Sequence, residues 1–171
     1  MVEAIAKEPG ALRRFHEKFV VEELEVDVAV VPIGGGGLIS GVALALKSFN
    51  PKIRVIGVES SGAPGMKNSV EAGELVTLDR VDCIIDGLRV KRVGVKNLEI
   101  VRQYVDEIVT LPDEQIFDAV LWTMHYAKVV PEGAAAAPVA ALLHGLVTAP
   151  RGSKVVAVLS GGNVNLEQLR G

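Results

Sequence analysis

Four consecutive glycines, Gly34 to Gly37, stand between an apolar run and a segment with helical spacing of apolar residues, and Leu38 follows them. Because glycine has no Cβ atom, such a run can take positive φ angles and point several backbone N–H groups into one concavity. The N-terminus of the following helix makes this concavity more positive, which suits a phosphate group. A flexible linker would usually contain serine as well and would not be held between two apolar segments. The pattern therefore predicts a phosphate-binding loop.

A second glycine turn, Ser160-Gly161-Gly162-Asn163, follows the apolar run Lys154 to Leu159. We interpret this run as a central strand, whose carboxyl end is the edge at which open α/β sheets bind their ligands. Ser160 and the first glycine loop are therefore expected to face one crevice, and a short C-terminal helix is expected after the turn. A serine in such a turn is also common as a local capping residue, so a ligand contact depends on the first loop being close.

The same glycines allow a second interpretation, a dinucleotide-binding fold. Gly35, Gly37 and Ser40 approximate its glycine fingerprint. Glu59 ends the next predicted strand, where a carboxylate would bind a ribose hydroxyl. The third glycine of the fingerprint is missing, however, and Gly41 falls one position late. The second glycine turn has no role in the fingerprint either, so we rank nicotinamide binding below phosphate binding of another kind.

The elements around these loops predict an α/β fold, an open and mostly parallel sheet with helices on both faces. The β-branched run Asp27 to Ile33 predicts a buried strand, a helix follows to Phe49, and Ile53 to Glu59 predicts the next strand of a βαβ unit. Further along we expect a strand over Glu107 to Leu111. A helix should follow it, with its start signalled by Thr110 and Asp113 and its end near Lys128. The next predicted helix covers Gly133 to His144. Pro138 is expected to kink or break that last helix, at about 3 kcal/mol in a helix interior. Ser60 to Asn97 is the least periodic stretch.

Composition and charge exclude several classes of protein. The 171 residues carry a formal net charge of −3, and 49% are apolar and 4% aromatic. No basic face is therefore expected for a nucleic acid or an anionic membrane, and no apolar run is long enough to span a bilayer. The single cysteine, Cys83, cannot form an internal disulfide, and no cysteine and histidine spacing suits a metal. A cytoplasmic protein with an aliphatic core is expected.

Six segments occur in an order and at a spacing that resemble one known family; they are VVPIGGGGLISG, GVES, IIDGLRVKRVG, YVDEIVTL, VVPEGAAAAPVAALL and VVAVLSGGNVNLEQL. They are similar to the second half of the pyridoxal-phosphate-dependent threonine and serine dehydratases, which include serine racemase. The resemblance implies the larger lobe of a fold-type II enzyme over residues 21–171, with residues 1–20 as an unassigned helical segment. It also implies elimination of water from threonine or serine to a 2-oxo acid and ammonia, by a homo-oligomer or together with a missing N-terminal half.

The resemblance also implies roles for individual residues. The glycine loop and the Leu38 amide match the part that holds the phosphate of pyridoxal phosphate, and Ser160 matches the partner of the pyridine nitrogen. Asp86-Gly87 and Glu132 match positions near the cofactor ring, although by composition alone they are a turn and a helix-start carboxylate. A neutral serine leaves the nitrogen unprotonated, a weaker electron sink than a carboxylate partner gives. The implied cofactor-binding residues are Gly34, Gly35, Gly36, Gly37, Leu38, Gly87, Glu132 and Ser160.

Two features of the family are missing. Its Schiff-base lysine lies in a Ser-Phe-Lys motif, whereas Ser48-Phe49 is followed here by Asn50, so no catalytic residue is assigned. Glu59 matches the first ligand of the divalent metal site of racemase-like members, but Gly65 stands where the second carboxylate is expected, so no metal is assigned. We therefore expect a fragment or subunit that lacks the lysine. The alternative is an inactive module that binds phosphate or the cofactor, or that regulates a relative.

Overall fold

The computed structural model describes residues 25–164, in which short parallel strands alternate with helices. In chain order the elements are β1 (Val28–Pro32), α1 (Gly37–Phe49), β2 (Arg54–Ser60), α2 (Gly65–Ala72), α3 (Val95–Tyr104), β3 (Glu107–Leu111), α4 (Asp113–Ala127), α5 (Gly133–Leu143) and β4 (Val155–Ala157). The segment 1–20 and the expected C-terminal helix lie outside the described residues. None of the helices within the described range is long and apolar enough to cross a membrane.

The sheet has the order β3-β2-β1-β4, and every pairing is parallel. Val30 of β1 lies opposite Ile56 of β2 on one side and Ala157 of β4 on the other. The predicted open parallel sheet is therefore confirmed. The interpretation of the last strand as central is wrong for the described sheet, because β4 pairs with β1 alone and forms an edge. With a neighbour on one side only, its three residues stay half-buried.

Helices cover both faces of the sheet, as predicted. Successive residues of a strand point to opposite faces, and β1 and β2 follow this alternation. Val30 and Ile56 belong to a core that also contains the buried faces of α4 and α5. Val31 and Val55 belong to a second core with α1, α2 and α3. The two central strands, which are buried almost throughout, therefore fit a sheet that is covered on both sides.

Two helices, α2 and α3, lie wholly or partly in the stretch whose sequence lacks periodicity. The only large apolar side chain that α2 buries fully is Met66. In α3 the buried residues are Leu98 and Val101. Such sparse burial does not produce an apolar stripe of helical period, which is the main signal for a helix in a sequence. These helices depend on their tertiary contacts.

The helix α5 continues through Pro138 without a break. Proline lacks the backbone N–H that would bond to the carbonyl four residues earlier. The residues from Ala134 to Ala141 are all buried, and α5 packs against α4 and the central strands. Burial along this whole stretch offsets the missing hydrogen bond, so the expected break does not occur.

Candidate functional site

The loop between β1 and α1 contains two glycines that the protein's own packing requires. A Cβ atom on Gly34 would lie 2.2 Å from the carbonyl oxygen of Gly87. Gly36 has a φ of +90°, and a Cβ atom there would lie 2.5 Å from Cε of Met66 and 2.9 Å from Cβ of Asn97. Side chains cannot be accommodated at such distances, and positive φ disfavours them further. Gly34 and Gly36 therefore let the loop pack closely against the segments behind it.

The other two glycines of the loop, Gly35 and Gly37, are not required by packing within the described part of the chain. A Cβ atom on either would have none of the described atoms within 4 Å, and neither residue has a positive φ. Both are exposed, as is Leu38. Because the first N–H groups of a helix have no intrahelical acceptor, this open side of the loop presents donors that an anion can approach without meeting a side chain.

The loop is held from behind by the start of α3. The carbonyl oxygen of Gly35 accepts hydrogen bonds from the Gly94 N–H, at 3.1 Å, and from Nδ2 of Asn97, at 2.8 Å. The Ser40 hydroxyl of α1 donates to the carbonyl oxygen of Asn97 at 3.3 Å. Asn97 was not among the predicted site residues, since nothing local in the sequence marks an asparagine as the partner of a loop 62 residues earlier.

The second glycine turn lies beside Glu132, the residue that precedes α5. The Glu132 N–H donates to the carbonyl oxygen of Gly161 at 3.0 Å. In return, the carboxylate oxygen Oε2 of Glu132 accepts the Asn163 N–H at 3.3 Å. A Cβ atom on Gly161 would lie 2.5 Å from Cδ of Glu132. The predicted helix-start carboxylate therefore does occupy the N-cap position, but it makes no side-chain cap and binds the turn that carries Ser160.

Gly87 lies between the two glycine turns. It backs onto Gly34, and a Cβ atom added to Gly87 would lie 2.6 Å from Cβ of Ala134 and 3.8 Å from Oε1 of Glu132. Asp86 is exposed and pairs with Arg89 at 3.7 Å, in agreement with its interpretation as a turn residue. The structure thus places the glycine loop, Gly87 and Glu132 in one row of contacts at the carboxyl edge of the sheet.

Ser160 is exposed and follows β4, which pairs directly with β1. The two strands are parallel, so the glycine loop and Ser160 leave the same edge of the sheet from neighbouring strands, as the sequence predicted. A depression at this edge is lined by Ile84, Ile85, Asp86, Gly87, Phe117, Val120, Glu132, Gly133, Ala134, Asn163 and Val164. Its lining includes Gly87 and Glu132 but neither the glycine loop nor Ser160.

The segment that carries Gly87 is anchored by Asp113, the first residue of α4. One carboxylate oxygen, Oδ1, accepts the Ser60 hydroxyl at 2.5 Å. The other, Oδ2, accepts the Ile84 N–H at 2.7 Å. The sequence predicted that Thr110 and Asp113 start this helix. The helix does begin at Asp113, but Thr110 belongs to β3, Pro112 is the N-cap residue, and the Asp113 side chain does not cap α4. It joins the end of β2 to the segment before Gly87, a role that only the tertiary contacts reveal.

Glu59 does not fit a metal site or a ribose contact. It is 1% exposed, and its two carboxylate oxygens accept the N–H groups of Met66, at 2.8 Å, and Lys67, at 2.9 Å. Burial raises the pKa of Glu59 to about 7, although both hydrogen bonds lower it. Within residues 25–164 there is no group of three His, Cys, Asp or Glu residues that could hold a metal. The Glu59 carboxylate binds the N-terminus of α2 and is closed to a ligand.

Comparisons with known proteins identify relatives. A family model described as pyridoxal-phosphate dependent enzyme matches residues 16–161. The L-threonine ammonia-lyase of Thermotoga maritima is 44% identical over 151 residues, which are 88% of this chain and 37% of that protein. The catabolic L-threonine dehydratase TdcB of Escherichia coli K12 is 44% identical over 152 residues, 88% of this chain and 46% of that protein. The chain therefore spans about half the length, or less, of these curated relatives.

Solved structures show the same fold. The threonine deaminase of T.th. has a TM-score of 0.79 at 32% identity, over 91% of this chain and 56% of that one. Maize serine racemase also has a TM-score of 0.79, at 37% identity, over 94% of this chain and 49% of that one. The open parallel sheet is therefore shared with both structures.

Proposed function

Because this chain belongs to the family of pyridoxal-phosphate-dependent enzymes, we propose that it forms the cofactor-binding lobe of a threonine or serine dehydratase. The proposed reaction is elimination of water from the amino acid, which gives a 2-oxo acid and ammonia. The names of the relatives at 44% identity, a threonine ammonia-lyase and a threonine dehydratase, support this reaction class.

The observation that carries the proposal is the pair Gly35 and Gly37. Neither residue needs to be glycine for the packing or the backbone conformation of the described protein. A ligand that approaches the backbone closely would require both, and the N-terminus of α1 favours an anionic ligand. The phosphate of pyridoxal phosphate fits this cradle. The cofactor ring would then lie toward Gly87 and the turn that carries Ser160.

Each part of the site has a proposed task. The N–H groups from Gly34 to Leu38 bind the phosphate, and the Ser160 hydroxyl makes a hydrogen bond to the pyridine nitrogen without protonating it. Gly87, where a Cβ atom would meet Ala134, lies beside the ring, and Glu132 holds the Ser160 turn. When bound, pyridoxal phosphate supplies an electron sink that stabilises negative charge on the substrate. The neutral Ser160 makes this sink weaker than a carboxylate partner would.

The cofactor-binding lysine of the family is not assigned to this chain. The 171 residues contain no Ser-Phe-Lys motif, and Ser48-Phe49 ends α1 before Asn50. We propose that the lysine lies in a part that corresponds to the portion of the relatives that this chain does not match. A second candidate function, favoured by the missing motif, is an inactive module that binds the cofactor or regulates a relative. For the dehydratase, we also propose a homo-oligomeric assembly and a cytoplasmic location.

A titration with pyridoxine 5′-phosphate tests the phosphate cradle. This probe has no aldehyde, so it does not react with surface lysines. We expect saturable binding in calorimetry. Gly35→Ala or Gly37→Ala should weaken it about tenfold or more, because the added methyl group keeps the phosphate away from the backbone N–H groups and so weakens hydrogen bonds to a charged group. The matched control is Gly41→Ala on α1, where an added Cβ atom also meets no described atom within 4 Å. Equal affinity of all four proteins would contradict the proposal.

The missing lysine is tested with pyridoxal phosphate itself. The chain is incubated with the cofactor, reduced with borohydride and examined by mass spectrometry. We expect no stoichiometric adduct on a single lysine and no dehydratase activity toward threonine or serine. A stoichiometric adduct at one lysine would show that the chain carries its own cofactor-binding residue.

A further inference from the structure

We infer that Asn97 is a positioning residue of the phosphate loop, and that its side-chain amide aims the Gly36 N–H at the phosphate. This inference rests on the proposed function, because aiming matters only if the loop binds phosphate. Asn97 belongs to the first turn of α3 and faces the back of the loop, so it is not a residue that contacts the ligand.

The carbonyl group of Gly35 accepts two hydrogen bonds. The Gly35 oxygen receives Nδ2 of Asn97 at 2.8 Å and the backbone N–H of Gly94 at 3.1 Å. Both donors come from the start of α3, so this carbonyl group is directed toward α3. A carbonyl oxygen has two lone pairs, and these two donors use both.

The planar trans peptide sets the direction of the next N–H group. The described chain contains no cis peptide bond, and in a trans peptide the C=O and the next N–H point in opposite directions. The N–H of Gly36 is therefore directed away from α3. The Cβ positions of the adjacent Gly35 and Gly37 face open space, so no side chain of either residue would block an anion beside the loop. The hydrogen bond from Asn97 that directs the Gly35 carbonyl group toward α3 therefore also directs the Gly36 N–H away from α3.

The Asn97 side chain lies close to the backbone of Gly94 and Gly36. A Cβ atom on Gly94 would lie 2.6 Å from Nδ2 of Asn97, and one on Gly36 would lie 2.9 Å from Cβ of Asn97. Glycine at both positions leaves the space that the amide fills. The Ser40 hydroxyl binds the Asn97 carbonyl oxygen at 3.3 Å and ties α1 to the same residue. The half-exposed Asn97 side chain therefore lies close to Gly36 and Gly94, and the Ser40 bond fixes its backbone beside the loop.

Substitution by aspartate separates positioning from stability. Aspartate has nearly the shape of asparagine but no N–H to donate, and its charge would repel a bound phosphate. The first turn of α3 contains no acidic residue, and a carboxylate near a helix N-terminus is favourable. This gain partly offsets the lost hydrogen bond and the repulsion between the new carboxylate and the Gly35 carbonyl oxygen, so Asn97→Asp should unfold at a temperature no lower than that of Asn97→Ala. Its phosphate binding should nevertheless be weaker than that of Asn97→Ala, an order that a purely structural role does not produce.

The experiment compares pyridoxine 5′-phosphate with pyridoxine, which lacks the phosphate, by calorimetry on the full chain. We expect the affinity for the phosphate form to fall about tenfold in Asn97→Ala, as for loss of one hydrogen bond, and further in Asn97→Asp. Pyridoxine binding should stay within about twofold of the wild type in both variants. The control is Asn50→Ala at the other end of α1, where the side-chain oxygen accepts the N–H of the nearby Lys52 at 3.0 Å.

Different results overturn different claims. Unchanged affinity for pyridoxine 5′-phosphate in a folded Asn97→Asp variant would overturn the role of Asn97 and leave the proposed function intact. An equal loss for both probes would also overturn it, because the residue would then support the whole site. A wild-type chain that binds neither probe would overturn the proposed function, and the inference with it.

Discussion

Replacing Glu59 with glutamine should change how the stability of this protein depends on pH. The carboxylate is 1% exposed and receives two backbone N–H groups from the start of α2. Burial raises the pKa of Glu59 from 4.5 to about 7, because it disfavours the charged form more than the hydrogen bonds and the charge of Lys67 favour it. The folded chain therefore keeps a proton over a range in which the unfolded chain has released it.

The sign and size follow from proton linkage. The stabilisation from protonated Glu59 is fully present below about pH 4.5 and is lost as the pH rises through about 7. Each pKa unit corresponds to about 1.36 kcal/mol, so the free energy of unfolding should fall by roughly 3 kcal/mol across this window. Glutamine is neutral at every pH and close in shape to protonated glutamate. Relative to the wild type, Glu59→Gln should therefore become more stable by that amount between pH 4.5 and 8.

Urea unfolding of both proteins at several pH values measures this difference, in which the other titrating groups cancel. Glu99→Gln, on the exposed side of α3, controls for the loss of a carboxylate that is not buried. Parallel pH profiles of the wild type and Glu59→Gln would refute the reasoning, as would a wild type that gains relative stability at high pH. The series is repeated in Mg²⁺ and in EDTA, and we expect the same free energy of unfolding in both at each pH. Stabilisation by Mg²⁺ that Glu59→Gln removes would reveal a metal at this carboxylate.

Two further predictions concern the contacts that hold the site. Gly161→Ala should destabilise the chain by about 1–3 kcal/mol, as overpacking does. The three atoms nearest to the new Cβ atom belong to Glu132. The same change should therefore cost much less stability in a Glu132→Ala background. Urea unfolding of the four proteins measures this coupling, and additive effects would contradict the contact. Asp113→Ala should cost about 1–3 kcal/mol, since it leaves the buried Ser60 hydroxyl without its acceptor, whereas water can replace Asp113 at the exposed Ile84 N–H. Hydrogen exchange should show faster exchange at Ile84, and unchanged protection there would rule out this anchor.

Local patterns were sufficient for much of the fold and for the family. The β-branched runs predicted β1 and β2, and the apolar spacing of α4 predicted a helix that ends near Lys128, where α4 ends at Ala127. Of its two predicted start residues, Asp113 begins α4, whereas Thr110 lies in β3. The family resemblance, which depends on short glycine motifs, is confirmed by the family match over residues 16–161. These features could be predicted because each depends on neighbours within a few residues. The assignment of the individual cofactor-binding residues stays a prediction.

Other features could not be predicted, because their causes lie far apart in the chain. The start of α2 is bound by Glu59 in the preceding strand, and α3 buries too few apolar residues to show a period. The carboxylate of Glu132 looked like a helix-start charge, but it binds a turn 31 residues later. Such contacts depend on which segments the sheet brings together, and local spacing does not contain that information.

The sequence by itself determined that a glycine loop sits between a buried strand and a helix, and that a second glycine turn follows the last strand. The tertiary structure decided what those glycines do. Contacts with Gly87, Met66 and Asn97 occupy the back of the loop and leave Gly35 and Gly37 open. The physical reason is that glycine permits close approach of a partner but does not specify which one, and only packing decides whether that partner is the protein or a ligand.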